Sequence, residues 1–375
     1  MLFKSKAAER AQSISDDFSI TNFLSPNDYT DATKALESSD LYSTVNQISG
    51  DLATCRYEAT NSRTQYLLNN PAVTTNKQAF WQSISAQLLL DGNAYAYIWR
   101  NVNGVPQRLE YLRPSQVSVF LLDDGSGLIY DLTFDEPQIN LMQSVPQGDI
   151  LHFRLLSKSG GMLGISPLIA LQNELQIKDS SNKLTLNALS KAIVPNGLLK
   201  IKGAGLLDAK QRAAESNQFV RQLNQSSGPV VLDDLSDYQQ IEIKSDVSKL
   251  LASTDWTSKQ IAKVYGIPDS YLNGQGDQQS SLSMIEGMYA NALNRYARSI
   301  QSELENKLHD TITVDISGAI DQDGSSYATV IGDLTSKNAI SGNQATFLLQ
   351  QKGFLPEDIP DFEAPLKGGE SIDGN

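Results

Sequence analysis

The residues that could carry out chemistry are few in this chain and far apart in its sequence. His152 and His309 are its only histidines, and Cys55 is its only cysteine. A catalytic triad or a zinc site needs several such groups together. The alternation around His152 is typical of a strand, and His309 lies near the predicted end of a helix, where it would interact favourably with the helix dipole. We therefore expect no histidine-based or metal-based site.

The glycine pairs and acidic pairs of the chain give little evidence of a nucleotide-binding or catalytic site. Gly203-Ala204-Gly205 and Gly274-Gln275-Gly276 lack the third glycine of a dinucleotide loop, and no Walker lysine follows either one. The chain is thus predicted to bind no cofactor and to be no enzyme. Acidic pairs are typical of solvated surface, but a carboxylate-dependent α+β enzyme stays open as an alternative. These pairs are Asp123-Asp124, Asp233-Asp234 and Glu303 with Glu305.

The composition is that of a folded, multidomain protein. The chain has 375 residues, of which 40% are hydrophobic and 19% are charged. A single cysteine excludes an intrachain disulfide and favours a reducing, intracellular compartment. The segment Met1–Lys6 lacks the apolar core of a secretory signal. No apolar run approaches the roughly 18 residues that a membrane-spanning helix needs.

The net charge of −13 is the unusual bulk property. Lysine and arginine supply most of the affinity of proteins for nucleic acid, so such an acidic chain should hold DNA weakly. Solubility is one explanation of the charge. The other is that DNA must pass this protein without being held. The charge alone does not distinguish the two.

The first half of the chain predicts an α+β domain with a small, mostly antiparallel sheet. Apolar residues three and four apart predict a helix over 41–52, and Thr75 is a plausible N-cap for the next helix. The aromatic and branched segment 94–99 predicts a strand, and Asn103-Gly104 predicts a hairpin turn after it. Further strands are predicted over 109–112, 117–121, 127–130 and 150–154.

A long helix and a compact insert follow. Ser166 suits an N-cap and Pro167 suits the first helical position, and leucines then recur three and four apart. The predicted helix of about 27 residues would be about 40 Å long. Residues 198–245 predict an insert of strands around a helix that begins at Asp208. A second helix is predicted from about 246 to Gly266.

The last third of the chain alternates loops and helices. Its polar, glycine-bearing first segment predicts a loop. The elements predicted here are a loop over 273–281, a helix over 282–308, a strand over 311–316, a helix over 325–338, a turn at Ser341-Gly342-Asn343 and a helix that ends at Gly353.

Three segments, taken in this order, resemble a known family. They are Asp91-Gly92-Asn93-Ala94-Tyr95-Ala96-Tyr97, Gly164-Ile165-Ser166-Pro167-Leu168 and Ile261-Ala262-Lys263-Val264-Tyr265-Gly266-Ile267-Pro268. Each one marks a turn into or out of a regular element, and none offers a nucleophile. Together they resemble the portal proteins of tailed bacteriophages, in the group typified by phage HK97. The resemblance extends from about Leu41 to Pro356.

The resemblance implies an α+β, ring-forming phage portal fold with a wing, a two-helix stem, a clip insert, a tunnel loop and helix, and a small helical crown. The ring generally has twelve subunits around an axial channel. The segments implied are an N-terminal arm (1–40), the wing (41–165), the first stem helix (166–197), the clip (198–245), the second stem helix (246–268), the tunnel loop with the long helix and return wing (269–332), a small crown (333–362) and a flexible tail (363–375).

The resemblance also implies site residues. The tunnel loop would contact double-stranded DNA in the channel without reading its sequence, through Gln275, Gly276, Asp277, Gln278, Gln279, Ser280 and Ser281. The clip helix would dock the terminase motor or a tail adaptor through three basic residues, although they could also simply cover the insert's own sheet. These residues are Lys210, Arg212 and Arg221.

The implied partners are further copies of the chain, double-stranded DNA, the terminase large subunit, a head–tail adaptor, and the major capsid or scaffold protein, with no membrane. The implied location is one vertex of the virion capsid, after assembly in the host bacterial cytoplasm. Another phage ring protein, such as an adaptor or a capsid subunit, stays open as an alternative.

Overall fold

The structure is a computed structural model. It describes residues 12–13, 32–135, 141–158, 160–193, 197–201, 208–225, 236–240, 247–273, 282–321, 324–356 and 358. The chain divides into two compact units. The first comprises 1–28, 45–166 and 276–375, and the second comprises 29–44 and 167–275.

The strands are short and mostly lie in the first unit. In chain order they are β1 (Gln12–Ser13), β2 (Arg56–Ala59), β3 (Asn93–Arg100), β4 (Pro106–Leu112), β5 (Val117–Leu121), β6 (Leu128–Thr133), β7 (Leu141–Pro146), β8 (Ile150–Arg154), β9 (Gly197–Ile201), β10 (Ser236–Gln240) and β11 (Ile312–Asp315).

The helices range from one turn to 27 residues. In chain order they are α1 (Ala32–Ala35), α2 (Ser39–Thr54), α3 (Ser62–Asn69), α4 (Lys77–Asp91), α5 (Pro167–Ile193), α6 (Ala209–Gln225), α7 (Val247–Tyr265), α8 (Asp269–Asn273), α9 (Leu282–Leu308), α10 (Ser317–Ile320), α11 (Ser325–Ser336) and α12 (Gly342–Gln351).

The first unit contains separate antiparallel sheets rather than the one small sheet that we predicted. One has the order β1-β5-β6-β7, a second has the order β4-β3-β8, and β2 pairs with β11. The second sheet is central because β3 is buried over most of its length. The prediction merged the sheets because alternation identifies strands but not their pairing.

Two helices cover the central sheet of the first unit. α4 contributes Trp81, Ile84 and Leu88, which are almost fully buried. α9 packs against β8 and β11. Its buried residues Tyr289 and Leu293 continue at helical spacing through Ala297, Ile300 and Leu304. This apolar face places α9 directly behind β8, and that packing forms the site described below.

The second unit is built on two long helices, α5 and α7, which pack against each other. Between them in sequence lie the antiparallel pair β9 and β10 and the helix α6. On α5 the buried leucines include Leu171 and Leu175, and on α7 the buried residues include Ile261 and Tyr265. The predicted 27-residue helix is confirmed, since α5 has that length.

Several element boundaries differ from the prediction. The N-cap of α4 is Asn76 rather than Thr75, because the Asn76 side chain accepts from the Ala79 N–H. Ser341-Gly342-Asn343 is not a separate turn, since Ser341 caps α12 and Gly342 begins it. The short elements β2 and α3 were not predicted. Most of the predicted arm over 1–40, and the part of the insert over 226–235, lie outside the described residues.

Candidate functional site

The first two motif segments meet in the first unit. Gly92 ends α4 with φ of 77°. A Cβ on Gly92 would lie 2.3 Å from the Ile165 carbonyl oxygen, and a Cβ on Gly164 would lie 2.1 Å from the Gly92 carbonyl oxygen. Real Cβ atoms do not come so close to backbone atoms, so only glycine fits at either position. The two segments are thus in direct backbone contact.

Asn93 holds the two segments together through its side-chain amide. Its Oδ1 accepts from the Gly164 N–H at 2.7 Å, and its Nδ2 donates to the Gly164 carbonyl at 3.1 Å. Nδ2 also lies 3.2 Å from an Asp91 carboxylate oxygen. The Asn93 side chain therefore bonds to both backbone groups of Gly164, as a neighbouring strand would.

Three further hydrogen bonds complete this contact, which we call the motif junction (residues 90–93, 155–156 and 164–166). The Leu155 N–H donates to Gly92 at 2.9 Å, the Ile165 N–H donates to Leu156 at 2.8 Å, and the Ser166 hydroxyl donates to the Leu90 carbonyl at 2.5 Å. The junction ends at the residue that precedes α5. Its role is thus to fix residues 164–166 against the end of α4 within the first unit.

His152 extends the junction into the core of the first unit. Its Nε2 lies 3.2 Å from Asn93 Oδ1, and its Nδ1 lies 3.0 Å from the Tyr130 hydroxyl. Since Oδ1 can only accept, we assign the proton to Nε2, and Nδ1 then accepts from Tyr130. Burial lowers the pKa of His152 well below its usual value, with smaller contributions from Arg154 and Lys307. The imidazole is therefore neutral and structural.

This buried histidine makes the stability of the first unit depend on pH. In the unfolded chain His152 takes up a proton as the pH falls through 6.5, whereas the folded protein resists that proton. Stability should therefore be full above pH 6.5 and fall below it, by about 1.4 kcal/mol per pH unit from this one group. We expect His152→Gln to remove that slope and His309→Asn, at an exposed position, to keep it. Urea unfolding between pH 5.5 and 7.5 measures both slopes, and an unchanged slope in His152→Gln would contradict the assignment.

Glu303 carries the polar network from β8 to α9. One Glu303 oxygen accepts from the His152 backbone N–H at 3.0 Å, and the other lies 3.7 Å from the Arg154 guanidinium. Lys307 lies 3.8 Å from Glu303 and donates to the Gln147 carbonyl at 2.6 Å. Burial raises the pKa of Glu303, and burial lowers that of Lys307. Glu303 and Lys307 thus each favour the charged form of the other.

A cavity of about 470 Å³ lies beside this network. Arg154, Glu303 and Lys307 line it, together with the turns 125–128 and 160–162. Its charged groups already bond to one another and to backbone carbonyls, because Arg154 also donates to Met162 and His152. The charged residues that line the cavity therefore form a structural cluster whose members satisfy one another, which differs from the paired carboxylates of an active site.

Other reactive groups in the first unit are likewise held by neighbours. Asp51 accepts from the Tyr289 hydroxyl. Cys55 is buried, and burial raises the pKa of its thiol to about 12, so it is no nucleophile at neutral pH. Within the described ranges, no three His, Cys, Asp or Glu side chains come together as a possible metal-ion site.

The third motif lies in the second unit and closes α7. Gly266 has φ of 68°. Its N–H donates to the Lys263 carbonyl at 3.1 Å, and the Ile267 N–H donates to the Ala262 carbonyl at 2.9 Å. This pair of bonds is a Schellman cap, in which glycine takes the left-handed position. The motif therefore ends the helix α7, as its sequence indicated.

The three basic residues predicted on the clip helix do not form one patch. Lys210, Arg212 and Arg221 are all exposed on α6. At about 100° per residue, Lys210 and Arg221 share one side of the helix, and Arg212 lies on the opposite side. The docking role of all three residues stays a prediction.

The remaining predicted site residues, Gln275 to Ser281, lie outside the described residues. Among the helices that the structure describes, none combines the length and the apolar character that crossing a membrane requires. The sequence did not predict the hydrogen bonds of the motif junction that join Asn93 to Gly164 and Asn93 to His152. The motifs marked both glycines, but nothing local in the sequence indicates that residues 71 positions apart bond to each other.

Comparison with known families decides what this architecture is. Residues 39–346 match the family model described as phage portal protein. The chain belongs to that family. It is also 21% identical over 263 residues to the portal protein of Enterobacteria phage HK97. The aligned segment covers 66% of this chain and 58% of that protein. The predicted membership of the portal family is confirmed.

Solved structures give the same fold for this portal family chain. One is a chain from the neck of a native gene transfer agent particle computed with C12 symmetry, with a TM-score of 0.62, 18% identity, and coverage of 86% of this chain and 93% of that one. Another is an HK97 family phage portal protein from Corynebacterium diphtheriae, with a TM-score of 0.56, 10% identity, and coverage of 78% and 97%. The predicted α+β portal fold is confirmed.

Proposed function

We propose that copies of this portal protein form a ring around an axial channel through which double-stranded DNA is packaged into a capsid and later ejected. The match of residues 39–346 to the portal family carries this proposal. The likeness to a neck chain from a particle with C12 symmetry supports a ring. The paired helices α5 and α7, which bracket the β9–α6–β10 module in sequence, are what a stem with a clip insert requires.

Negative-stain microscopy of the purified chain, with mass photometry, tests this function. We expect rings with a central hole and a mass that is a multiple of the 41.0 kDa subunit. A chain that stays monomeric at every concentration would contradict the proposal. The alternative of a carboxylate-dependent enzyme instead predicts binding of a divalent metal ion, which calorimetry detects. The family is structural, and we infer that this member has no catalytic role.

The acidic balance of the chain suits such a channel. Duplex DNA carries one negative charge about every 1.7 Å along its axis, and a channel rich in lysine would hold each phosphate as it arrived. Acidic groups repel phosphates weakly, and amide and hydroxyl groups form only transient hydrogen bonds with them. We assign this role to the polar segment 275–281, which corresponds to the tunnel loop of the family resemblance.

Replacement of the two adjacent amides of that segment tests the assignment. We expect Gln278→Ala with Gln279→Ala to reduce the amount of DNA packaged per particle, because the loop would lose its transient contacts with the duplex. Rings of normal symmetry in the same variant serve as the control. Packaged DNA of unchanged length, with full infectivity, would exclude a DNA contact at these residues.

The exposed side of α6 that carries Lys210 and Arg221 is the proposed docking face for the terminase motor and later for a head–tail adaptor. We expect Lys210→Glu with Arg221→Glu to weaken terminase binding by about tenfold or more, because two charges on one side are reversed. Arg212→Glu, on the opposite side of the same helix, is the matched control. Equal binding by both variants in a pull-down would instead favour a structural role in covering the insert's own sheet.

A virion location follows from the same proposal. The ring would occupy one capsid vertex after assembly in the host cytoplasm, in contact with the major capsid or scaffold protein. Mass spectrometry of purified particles should detect the chain at one ring per particle. A copy number close to that of the capsid protein would support the alternative of another phage structural protein.

A further inference from the structure

The cavity of about 470 Å³ in the first unit has the size of a small-molecule binding site, since such sites measure about 300–1,000 Å³. The turns 125–128 and 160–162 and the end of α9 line it, and we call it the α9 cavity. All of these segments belong to the first unit. The charged cluster described above forms only part of the lining, so the cavity offers further groups to a ligand.

A pair of glycines leaves one wall of the α9 cavity without side chains. Gly160 and Gly161 both line the cavity, and their φ angles are 64° and 86°. A Cβ built at either position meets nothing within 4 Å. Backbone of this kind allows a ligand to approach closely. The turn therefore forms an accessible wall rather than a packed one.

The charged cluster satisfies its carboxylate but does not use every N–H group of Arg154. Nε donates to the Met162 carbonyl, Nη1 donates to the His152 carbonyl, and Nη2 lies 3.4 Å from the Tyr130 hydroxyl. The Glu303 carboxylate, at 3.7 Å, is beyond hydrogen-bond distance. A guanidinium has five N–H groups, so two of the five have no hydrogen-bond acceptor in the described part of the chain.

Lys307 likewise has donors that the cluster does not use. Its ammonium group donates to the Gln147 carbonyl at 2.6 Å and lies 3.8 Å from the Glu303 carboxylate. An ammonium group has three N–H groups, so two of the three have no acceptor among the described residues. A ligand oxygen in the α9 cavity would supply acceptors to both Lys307 and Arg154.

The lining of the α9 cavity has an excess of one positive charge, although the whole chain has a net charge of −13. Arg154 and Lys307 contribute two positive charges, and Glu303 contributes one negative charge. Burial lowers the pKa of Lys307, Glu303 opposes this shift, and Arg154 adds to it. A bound anion would further favour the charged form of Lys307. The electrostatics of the cavity therefore favour an anionic ligand.

The charge and the apolar part of the lining together indicate a monocarboxylate. A phosphate group carries about −1.5 to −2 charges at pH 7, which exceeds the single excess charge of the cavity. A carboxylate carries one charge and matches the planar N–H groups of arginine. Leu121, Leu128 and Met162 also line the cavity and pack on the core of the first unit. An apolar ligand body would be removed from water against them.

We propose that the α9 cavity binds a small monocarboxylate, whose carboxylate group bonds to Arg154 and Lys307 and whose apolar body packs against the three apolar side chains. A free organic acid carries such a group, and so does an acidic side chain of a peptide. The inference goes beyond the proposed portal function and does not depend on it, because every group that it uses lies in the first unit of a single copy.

Calorimetric titration of the purified chain with benzoate tests this site. We expect saturable binding at one site per chain. Benzamide has the same shape without the charge, and it should bind about tenfold more weakly or worse, because hydrogen bonds to a charged group are the stronger ones. Inorganic phosphate should also bind more weakly than benzoate. Equal binding of benzoate and benzamide, or no binding of benzoate, would overturn the proposal.

A charge added at the edge of the α9 cavity locates the binding. Asn306 is exposed and lines the cavity. We expect Asn306→Glu to weaken benzoate binding by about fivefold or more through repulsion, and Asn306→Lys to strengthen it. Ser302→Glu is the matched control, because Ser302 is exposed one turn earlier on α9 and outside the lining. Equal effects of Asn306→Glu and Ser302→Glu would place the binding elsewhere and contradict the proposal.

A blocked tripeptide with a central glutamate distinguishes the two sources of the carboxylate. Tighter binding of this peptide than of benzoate would assign the site to an acidic segment of a partner protein, and tighter binding of benzoate would assign it to a free acid. Either result supports a carboxylate site, and binding of neither probe rejects it. A chain that forms no ring should still bind the preferred probe, so this test and that of the portal function can fail separately.

Discussion

Gly92→Ala should unfold the first unit or destabilise it by about 4 kcal/mol or more. Two effects combine at this position. The φ of 77° is a backbone conformation that alanine adopts at a cost of about 1–2 kcal/mol. In addition, the new methyl carbon would lie 2.3 Å from the Ile165 carbonyl oxygen, so either α4 or the segment before α5 must shift.

Gly104→Ala separates these two effects. Gly104 also has φ of 77°, but a Cβ built there meets nothing within 4 Å. This variant should therefore lose only about 1–2 kcal/mol. Urea unfolding at equal protein concentration, followed by the fluorescence of Trp81 and Trp99 in the first unit, measures both. Equal losses in the two variants would mean that the close approach at the motif junction does not matter.

The sequence predicted the long helices well because their evidence is local. Ser166-Pro167 and the leucine spacing define the start and the buried side of α5, and Gly266-Ile267-Pro268 defines the end of α7. The same local logic placed the N-cap of α4 at Thr75, one residue early, because the sequence cannot show that Asn76 is the residue whose side chain bonds to Ala79.

The motif junction could not be predicted in the same way. The hydrogen bonds that join its two motif segments link residues about seventy positions apart, such as Asn93 with Gly164 and Ser166 with Leu90. Periodicity and capping rules describe neighbours in sequence, and they contain no information on such pairs. The glycines were identifiable as turn residues, but only the folded chain explains why each must lack a side chain.

The junction and α9 belong to one continuous polar network. From Gly164 the bonds pass through Asn93 to His152, from there through Tyr130 and Arg154, and finally to Glu303 on α9. Networks of this kind are stable only when each member is satisfied. A substitution at the junction should therefore also weaken the hydrogen bonds that reach α9. The only charged group at the junction itself is the carboxyl group of Asp91.

Asn93→Asp is the sharpest test of that dependence. The substitution keeps the size and shape of the side chain but replaces its NH₂ group by an oxygen. That atom would then face the Gly164 carbonyl at 3.1 Å and an Asp91 carboxylate oxygen at 3.2 Å, both of which can only accept. Burial already raises the pKa of Asp91. A second buried carboxylate beside it should cost about 3 kcal/mol or more.

Asn101→Asp is the matched control for this substitution. Asn101 also uses its side-chain oxygen to accept from backbone N–H groups, those of Asn103 and Val105, both at 3.0 Å. It is exposed, and a carboxylate can replace its amide in that turn, so the loss should stay within about 0.5 kcal/mol. Thermal unfolding of both variants at pH 7 gives the comparison. If Asn93→Asp proved as stable as Asn101→Asp, the amide of Asn93 would not be what holds the two motif segments together, and the close glycine contacts alone would have to hold them.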